Sequence, residues 1–177
     1  MIDKFLEDDK IKLRAPEPGD VDRMFSWEND TKEWDNGCVV APYSRLQIWE
    51  YIQNYEADIF KSRQLKFVVV DKMSGINVGM VDVFDFDPIN KRASVGIYID
   101  EDYRKQGMAT RSVTLLLTYC KEFIGMHQLS CIISVDNKEC YNVFNKIGFS
   151  TSGRLKSWIK VKNAYKDALL LQFVFPG

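Results

Sequence analysis

The chain has 177 residues, of which 46% are hydrophobic and 28% charged, and its formal net charge is -1. This length and composition predict one folded domain over residues 1–177 and exclude a disordered chain. The near-neutral charge argues against a nucleic-acid partner, because non-specific binding needs a strong basic field. No apolar run approaches the roughly 18 residues of a membrane span, and the acidic N-terminus lacks the apolar segment of a signal peptide.

The cysteines and the single histidine limit the metal and disulfide chemistry that the chain can carry. Cys38, Cys120, Cys131 and Cys140 have neither the paired spacing of zinc ligands nor the density of a disulfide scaffold. With His127 as the single histidine, a His-based metal site is not expected. We therefore expect no metal, reduced thiols and a cytoplasmic protein.

The first half of the chain predicts a strand, two helices and a meander of strands. Residues 11–14 predict a short strand, which the Pro- and Gly-containing stretch after it stops. Asp20 stands where it would cap a helix that ends near Trp27, and Ser44 with Gln47 matches a capping box for a second helix. Three apolar runs separated by short turns follow and predict an antiparallel meander: LKFVVVD, INVGMVDVFDF and RASVGIYID.

The second half predicts a helix, a strand, a helix and a closing hairpin. A helix with regular apolar spacing follows YRKQGMAT and ends at Gly125, and QLSCIISV alternates as a strand. Asn137 begins a short helix that Gly148 closes, and residues 157–175 predict two strands around a Lys-Asn turn. Because a helix between two strands favours a parallel pair, the whole chain predicts an α/β (α+β) fold with a mixed, mostly antiparallel sheet flanked by helices.

YRKQGMAT, residues 103–110, places a glycine and two cations where a helix begins. The first N–H groups of a helix have no partner inside it and lie at the positive end of its dipole. Gly107 and Ala109 allow a ligand to approach the backbone closely, and Arg104 and Lys105 add charge. These features fit a phosphate or pyrophosphate, and an ordinary solvated loop is the alternative. The spacing matches neither a Walker A loop nor a Rossmann fingerprint.

A second motif, NKECYNVFNKIGF at residues 137–149, follows on the next predicted helix. R-x-x-G-x-A at residues 104–109, followed by N-x-x-C-x-x-x-F-x-K-x-G-F, resembles the two CoA-contacting motifs of the GNAT N-acetyltransferases. The order of elements is similar to that fold along nearly the whole chain, and residues 78–110 look most like the spermidine and ribosomal-protein N-acetyltransferase branch. The resemblance implies a single GNAT domain that transfers an acetyl group from acetyl-CoA directly to a primary amine, such as spermidine or a protein N-terminus, in a ternary complex.

The resemblance assigns the coenzyme to three segments. Backbone N–H groups of residues 104–110 would hold the pyrophosphate, and the strand through Ile97 would splay from its parallel neighbour and polarise the acetyl carbonyl. Asn137 would contact the pantetheine, although a helix cap is its ordinary alternative role, and a solvated lysine is that of Lys146. The implied coenzyme-binding residues are Ile97, Tyr98, Ile99, Arg104, Lys105, Gln106, Gly107, Met108, Ala109, Thr110, Asn137, Cys140, Phe144 and Lys146.

The proton donor of the family is missing at its usual position. Many GNAT enzymes have a tyrosine seven residues after the asparagine, and that tyrosine protonates the leaving thiolate; here the residue is Phe144. Tyr141 is the nearby alternative, and water or Cys140 are others. Covalent catalysis by Cys140 is disfavoured because no histidine lies nearby to activate it. A non-catalytic acyl-CoA-binding module and an ATP-binding protein are the alternatives to an enzyme.

The proton acceptor is expected on the middle strand of the meander, where relatives place acids. Asp82 and Asp85 are the candidates, and their opposite parity predicts that they point to opposite faces of the sheet. Either could instead be an ordinary solvated strand residue. The glutamate that many relatives carry near the next strand is replaced by Ser94.

The acceptor amine is expected at the long loop between the first two helices. Trp27, Glu28, Glu33 and Trp34 place acids beside aromatic rings, which suits an amine through charge pairing and cation–π contact. The alternative is a lid loop whose tryptophans pack on the core. A polyamine, a protein N-terminus, an amino sugar and an aminoglycoside all stay open as substrates. The closing hairpin offers an edge strand through which a homo-oligomer could pair.

Overall fold

The computed structural model describes residues 3–32 and 41–176. Their strands are β1 (Ile11–Arg14), β2 (Leu65–Asp71), β3 (Asn77–Asp87), β4 (Arg92–Ile99), β5 (Gln128–Ser134), β6 (Ser150–Val161) and β7 (Ala164–Val174). They form one seven-stranded sheet in the order β1-β2-β3-β4-β5-β7-β6. Only the β4–β5 pair among these strands is parallel. This arrangement confirms the predicted mixed, mostly antiparallel sheet.

The helices lie on both faces of this sheet. They are α1 (Asp3–Leu6), α2 (Val21–Glu28), α3 (Arg45–Gln53), α4 (Ile59–Ser62), α5 (Met108–Tyr119) and α6 (Lys138–Ile147). A π-helical turn, Cys120–Ile124, extends α5 to Gly125, whose φ of 75° ends the helix as predicted. Among the helices of the described ranges, none combines the length and the apolar character that crossing a bilayer requires.

Two apolar clusters, one on each face of the sheet, show which helices cover which face. Met80 packs with Trp27 and Ile48 in the smaller cluster, which lies under α2 and α3. Val81, the next residue of β3, belongs to the main core with α5 and with Phe144 of α6. Successive residues of a strand point to opposite faces. The helices α2 and α3 therefore cover one face, and α5 and α6 cover the other.

The two predicted N-terminal caps have different outcomes. Ser44 and Gln47 form the capping box of α3, since each side chain accepts from the backbone N–H of the other residue. Asp20 stands at the start of α2, but its carboxylate makes no capping hydrogen bond there. It accepts instead from both terminal nitrogens of Arg14, at 2.7 and 2.8 Å, and from the N–H of Glu17 at 2.7 Å. A buried ion pair has thus replaced the predicted cap.

The β4–β5 pair separates early, and this separation creates the site. The parallel pairing joins Arg92 to Gln128, Ala93 to Leu129 and Ser94 to Ser130, and it stops there. The strand β4 continues to Ile99, and β5 stays paired with β7 as far as Ser134. A gap therefore opens beside the second half of β4, which confirms the splayed sheet that the resemblance implies.

The alternation of β3 breaks near its end. Asp85 has a φ of 52°, and the register with β4 shifts between Phe84 and Asp87. This bulge adds a residue on the β3 side. The expectation that Asp82 and Asp85 point to opposite faces is wrong, because it assumed unbroken alternation; both residues line the same pocket.

The closing hairpin of β6 and β7 is longer than the predicted residues 157–175, since β6 begins at Ser150.

Candidate active site

A pocket with a cavity volume of about 520 Å³ opens where β4 and β5 separate. Its walls are the end of β4, the start of α5 and one side of α6. The residues that line it are Ile97, Tyr98, Ile99, Tyr103, Arg104, Lys105, Gly107, Met108, Ala109, Thr110, Asn137, Glu139, Cys140, Asn142, Val143 and Lys146. The two sequence motifs are therefore brought together as predicted, although they are separate in the chain.

Two of the predicted coenzyme-binding residues and the candidate proton donor Tyr141 lie outside this lining. Gln106 is exposed, and its side-chain amide donates to the carbonyl of Asp102 at 3.2 Å. Phe144 is 1% exposed and packs edge-on against Phe149 in the core. Tyr141 packs against the same core. The structure therefore does not bring Tyr141, Phe144 or Gln106 to the pocket.

The phase of α6 explains this sorting. Cys140, Val143 and Lys146 follow one another at a spacing of three residues and line the pocket. Residues three and four apart share a helix face, so Tyr141 and Phe144 together face the core. The family position of the proton-donating tyrosine is thus occupied here by a core residue. Asn142 and Val143 were missed as lining residues, and the same helical phase could have indicated them.

The start of α5 presents bare backbone to the pocket. Gly107 precedes the helix with a φ of 79°, and a β-carbon built there would meet no atom within 4 Å. Lys105 is also left-handed, with a φ of 60°. The N–H of Arg111 closes the first helical turn on the carbonyl of Gly107 at 3.0 Å. The N–H groups of residues 108–110 come before that donor and have no intrahelical acceptor, so they suit an anion.

The edge of β4 presents further polar backbone to the gap. The N–H of Asp100 donates to the carbonyl of Val78 on β3 at 2.9 Å. Because backbone groups alternate along a strand, the N–H and C=O groups of Ile97 and Ile99 point to the other side, into the gap. The carbonyl of Ile99 accepts from the Nε of Arg104 at 2.8 Å. The N–H and C=O of Ile97 therefore stand where an extended ligand could pair with the strand.

A second pocket, of about 490 Å³, lies on the face of the sheet that α2 and α3 cover. Its lining residues are Tyr43, Ser62, Arg63, Gln64, Asp82, Phe84 and Asp85. The carboxylate of Asp82 lies directly against Gly96, and a β-carbon at position 96 would overlap its Oδ1 atom. The next residue, Ile97, lines the first pocket. The carboxylate of Asp82, which lines the second pocket, thus contacts the residue that precedes Ile97 of the first pocket.

Asp82 belongs to a charged cluster that no sequence motif indicated. Lys66 Nζ lies 2.9 Å from Glu28 Oε1 and 3.9 Å from Asp82 Oδ2. Burial raises the pKa of Asp82, and Glu28 adds to this, although Lys66 acts in the opposite direction. Burial alone would lower the pKa of Lys66, but the two carboxylates raise it above its usual value. Glu28, predicted to bind the substrate amine, contacts the ammonium of Lys66 in this structure.

Trp27 fits the alternative role of a packed tryptophan. It is 4% exposed, and its indole nitrogen donates to Asp100 Oδ2 at 2.8 Å. Tyr98 lies next to it, with ring centroids 6.0 Å apart, and its hydroxyl donates to Asp30 at 3.2 Å. Burial and the carboxylate of Asp30 raise the pKa of Tyr98. These contacts fix the end of α2 to the turn before the α5 motif. The other two predicted substrate residues, Glu33 and Trp34, lie outside the described residues.

The family model of the acetyltransferase (GNAT) domain matches residues 10–150 of this chain. The chain belongs to the GNAT acetyltransferase family. The matched residues of this acetyltransferase include both pockets and both motifs. The match ends where β6 begins, before the closing hairpin. Within the part of the acetyltransferase that the structure describes, no group of three or more His, Cys, Asp or Glu side chains could hold a metal ion.

Named relatives of the acetyltransferase act on different amines. It is 26% identical over 162 residues to the spermidine N(1)-acetyltransferase of Escherichia coli (strain K12). The aligned region covers 90% of this chain and 83% of the relative. It is 25% identical over 170 residues to a putative ribosomal N-acetyltransferase of Bacillus subtilis (strain 168), covering 89% and 87%. These names support acetyl-CoA-dependent acetylation of amines as the general activity.

Solved structures share the fold of the acetyltransferase. The spermidine N-acetyltransferase of Vibrio cholerae in complex with CoA and spermine superposes with a TM-score of 0.82 at 21% identity, covering 94% of this chain and 96% of that one. The ribosomal-protein-S5-alanine acetyltransferase of Vibrio fischeri gives 0.83 at 17% identity, covering 95% and 94%. A spermidine enzyme and a ribosomal-protein-alanine enzyme thus match equally well, so the fold alone does not select the acceptor.

Proposed function

We propose that this acetyltransferase, acting as one domain over residues 1–177, moves an acetyl group from acetyl-CoA directly to a primary amine of a polyamine or a protein N-terminus in a ternary complex. The observation that carries the proposal is the contact of Asp82, which lines the second pocket, with Gly96, the residue before Ile97 of the first pocket. Direct transfer needs donor and acceptor to be held side by side. A sheet edge with a carboxylate on one side and a splayed gap on the other provides such a place.

The first pocket suits the coenzyme. The N–H groups at the start of α5 and the cations Arg104, Lys105 and Lys146 fit a pyrophosphate and its neighbouring phosphate. The free edge of β4 and Asn137 fit the amide groups of a pantetheine arm. The carboxamide of Asn137 already caps α6 by accepting from the N–H of Cys140 at 3.1 Å. Asn137 also lines the first pocket, and its amide nitrogen is a separate donor, so the cap and the ligand role are compatible.

The second pocket suits the acceptor amine. An ammonium ion must lose a proton before it attacks, and Asp82 is the carboxylate of the second pocket that contacts Gly96 on β4. Its raised pKa makes it a better proton acceptor than an ordinary aspartate. The N–H of Ile97 points into the gap and would stabilise the negative charge that develops on the acetyl oxygen; one such donor is worth about 3 kcal/mol. Asp85 is exposed in the bulge and is less well placed.

The leaving thiolate is accommodated without a tyrosine from α6. A thiol has a pKa of about 8.5 and an amine about 10.4, so the thiolate is a tolerable leaving group near neutral pH. Cys140 lines the first pocket, and it or a water molecule is the proton donor in this proposal. General-acid help is worth roughly 10²–10⁴-fold, so we expect turnover that is slow rather than absent.

The compartment and the assembly state complete the proposal. No disulfide joins the cysteines that the structure describes, which supports a reducing, cytoplasmic compartment. The spermidine N-acetyltransferase of Vibrio cholerae has been described as a dodecamer. Strand β6 is the outer strand of the sheet here. We propose that the protein forms a homo-oligomer in which this edge takes part.

An assay of CoA release over a panel of amines tests the function. The panel contains spermidine, spermine and peptides with free N-termini, each with acetyl-CoA. We expect CoA release that depends on the amine, together with an acetylated product in the mass spectrum. Binding of acetyl-CoA without release over the whole panel would favour a non-catalytic binding module. In calorimetry, preferential binding of ATP over acetyl-CoA would contradict the proposal.

A further inference from the structure

Three charged side chains from three elements meet on the face of the sheet that carries the second pocket. Lys66 on β2, Asp82 on β3 and Gly96 on β4 are cross-strand partners in one row. Glu28 at the end of α2 lies above this row, 2.9 Å from the ammonium of Lys66. The side chains of Lys66, Glu28 and Asp82 are 19%, 23% and 30% exposed. The cluster is therefore held at the centre of the sheet rather than on the protein surface.

The position of Lys66 is fixed by its backbone. Its N–H donates to the hydroxyl oxygen of Tyr55 at 3.1 Å, and that hydroxyl donates to its carbonyl at 2.9 Å. One side chain from the segment after α3 thus holds both polar backbone groups of this residue. The ammonium is then shared by two carboxylates, at 2.9 Å from Glu28 and 3.9 Å from Asp82. Removing one member of a buried ion cluster is costly, because the others lose their partner.

We propose that Lys66 and Glu28 are positioning residues that hold Asp82 against Gly96 and set how readily it stays ionised as the proton acceptor. This inference rests on the proposed function, in which Asp82 is the base. In the step concerned, an N–H bond of the substrate ammonium breaks and an O–H bond forms on Asp82. The neutral amine then attacks the thioester carbonyl, and Asp82 returns its proton to solvent after product release. Neither Lys66 nor Glu28 exchanges a proton in this step.

The two neighbours act on Asp82 in opposite directions. Lys66 favours the ionised form of Asp82, whereas Glu28 disfavours it. Gly96, the cross-strand neighbour on β4, carries no titratable group. The charged and titratable groups that face Asp82 from β2, β3, α2, α3 and the segment before β2 are Lys66, Asp85, Glu28, Tyr51, Tyr55 and Arg63. Substitutions of Lys66 and of Glu28 therefore predict pH profiles that move in opposite directions.

The test is the pH dependence of kcat/KM with one amine for all variants, so that the titration of the amine itself is common to them. We expect Asp82→Asn to lose the acidic limb that the wild type shows. Lys66→Met should move this limb to higher pH and lower kcat/KM about tenfold at a pH on the limb, since a nearby cation favours the carboxylate. Glu28→Gln should move it to lower pH, and the double variant should lie between the two single variants.

Thermal unfolding and a matched control accompany each profile. Lys61→Met removes an exposed lysine that also faces two carboxylates, at 3.9 and 3.6 Å, and it should leave the limb in place. If Lys66→Met does not fold, the direction of the shift in Glu28→Gln decides the inference. An acidic limb that stays fixed in Glu28→Gln and in folded Lys66→Met, but disappears in Asp82→Asn, overturns the positioning role of Lys66 and Glu28 and leaves Asp82 as the proposed base. An acidic limb that persists in Asp82→Asn overturns both the positioning role and the assignment of Asp82 as the base.

Discussion

The carboxylate of Asp82 and the α-carbon of Gly96 lie so close together that no β-carbon fits between them. The two residues are cross-strand partners on β3 and β4. Glycine at position 96 is therefore a requirement of the carboxylate rather than of the backbone, because this residue is not left-handed. The contact places the proposed proton acceptor next to the residue before the strand segment that lines the first pocket.

Substituting Gly96 by alanine should displace Asp82 and slow catalysis. We expect kcat/KM for the amine to fall about 10²-fold, in line with the loss of a positioned base, while affinity for CoA changes little. Steady-state kinetics and calorimetry with CoA measure the two effects. Gly19→Ala is the matched control, since a β-carbon at position 19 meets nothing within 4 Å. An unchanged kcat/KM in Gly96→Ala would show that this contact is unimportant for turnover.

Substituting Gly107 by alanine should weaken coenzyme binding. The new methyl group would enter the space at the start of α5, and we expect the Kd for CoA to rise about tenfold, or about 1.4 kcal/mol. Gly75→Ala is a close control, because Gly75 has a φ of 70° and the same open surroundings but lies in the turn between β2 and β3. Both variants should lose about 1–2 kcal/mol of stability from the left-handed backbone. An equal change of Kd in both would contradict the assignment.

The lining of the first pocket was largely predictable from the sequence. The motif around Gly107 and the one that begins at Asn137 each have a fixed spacing within a strand-helix unit, and such local patterns survive folding. The exclusion of Tyr141 and Phe144 from the pocket could also have been deduced, because α6 can expose only one face. Phe144 was expected at the coenzyme because of its spacing from Asn137, and Tyr141 was the alternative proton donor. The direction in which each side chain points from the helix was not used.

The charged cluster beside the second pocket was predictable only in part, since Asp82 and Glu28 were candidate site residues but neither Lys66 nor the contact among the three was expected. Glu28, Lys66 and Asp82 lie on α2, β2 and β3, and only the packing of α2 on the sheet brings them together. The bulge at Asp85 also escaped prediction, since alternation is the default of a strand and residues 80–87 contain no glycine or proline to interrupt it. Residues that meet through tertiary contact leave no periodic signal in a single sequence.

The pair of Arg14 and Asp20 should make stability depend on pH. Burial alone would raise the pKa of Asp20, but Arg14 and the N–H of Glu17 hold it below the usual value. A lowered pKa in the folded state means that this stabilisation is complete above the unfolded pKa of about 3.9 and disappears as the pH falls through the folded value. We expect Asp20→Asn to cost about 3–5 kcal/mol at pH 7.

Urea unfolding of the wild type and of Asp20→Asn as a function of pH measures this effect. The difference in unfolding free energy should shrink as the pH is lowered below 4. Asp22→Asn is the control, because its partner Arg45 is 61% exposed and Asp22 itself 83%. An exposed pair of this kind contributes about 0–1 kcal/mol. A difference for Asp20→Asn that does not vary with pH would contradict the role of its charge.

Alkylation of thiols should report occupancy of the first pocket. Cys140 lines that pocket, whereas Cys120 and Cys131 are buried and burial raises the pKa of both. In a Cys38→Ser background, iodoacetamide should modify Cys140 first, and CoA should slow this reaction about tenfold or more. Peptide mass spectrometry identifies the site, and denatured protein, in which every thiol should react, is the control. Equal rates with and without CoA would place the coenzyme elsewhere.

A crystal structure of the protein with CoA tests the proposed transfer site most directly. We predict pyrophosphate oxygens at hydrogen-bond distance, about 2.7–3.2 Å, from N–H groups of residues 105–110. We also predict the pantetheine alongside Ile97 and its thiol end next to Gly96 and Asp82. Coenzyme bound away from the gap between β4 and β5, or a thiol end remote from Asp82, would contradict the proposed transfer.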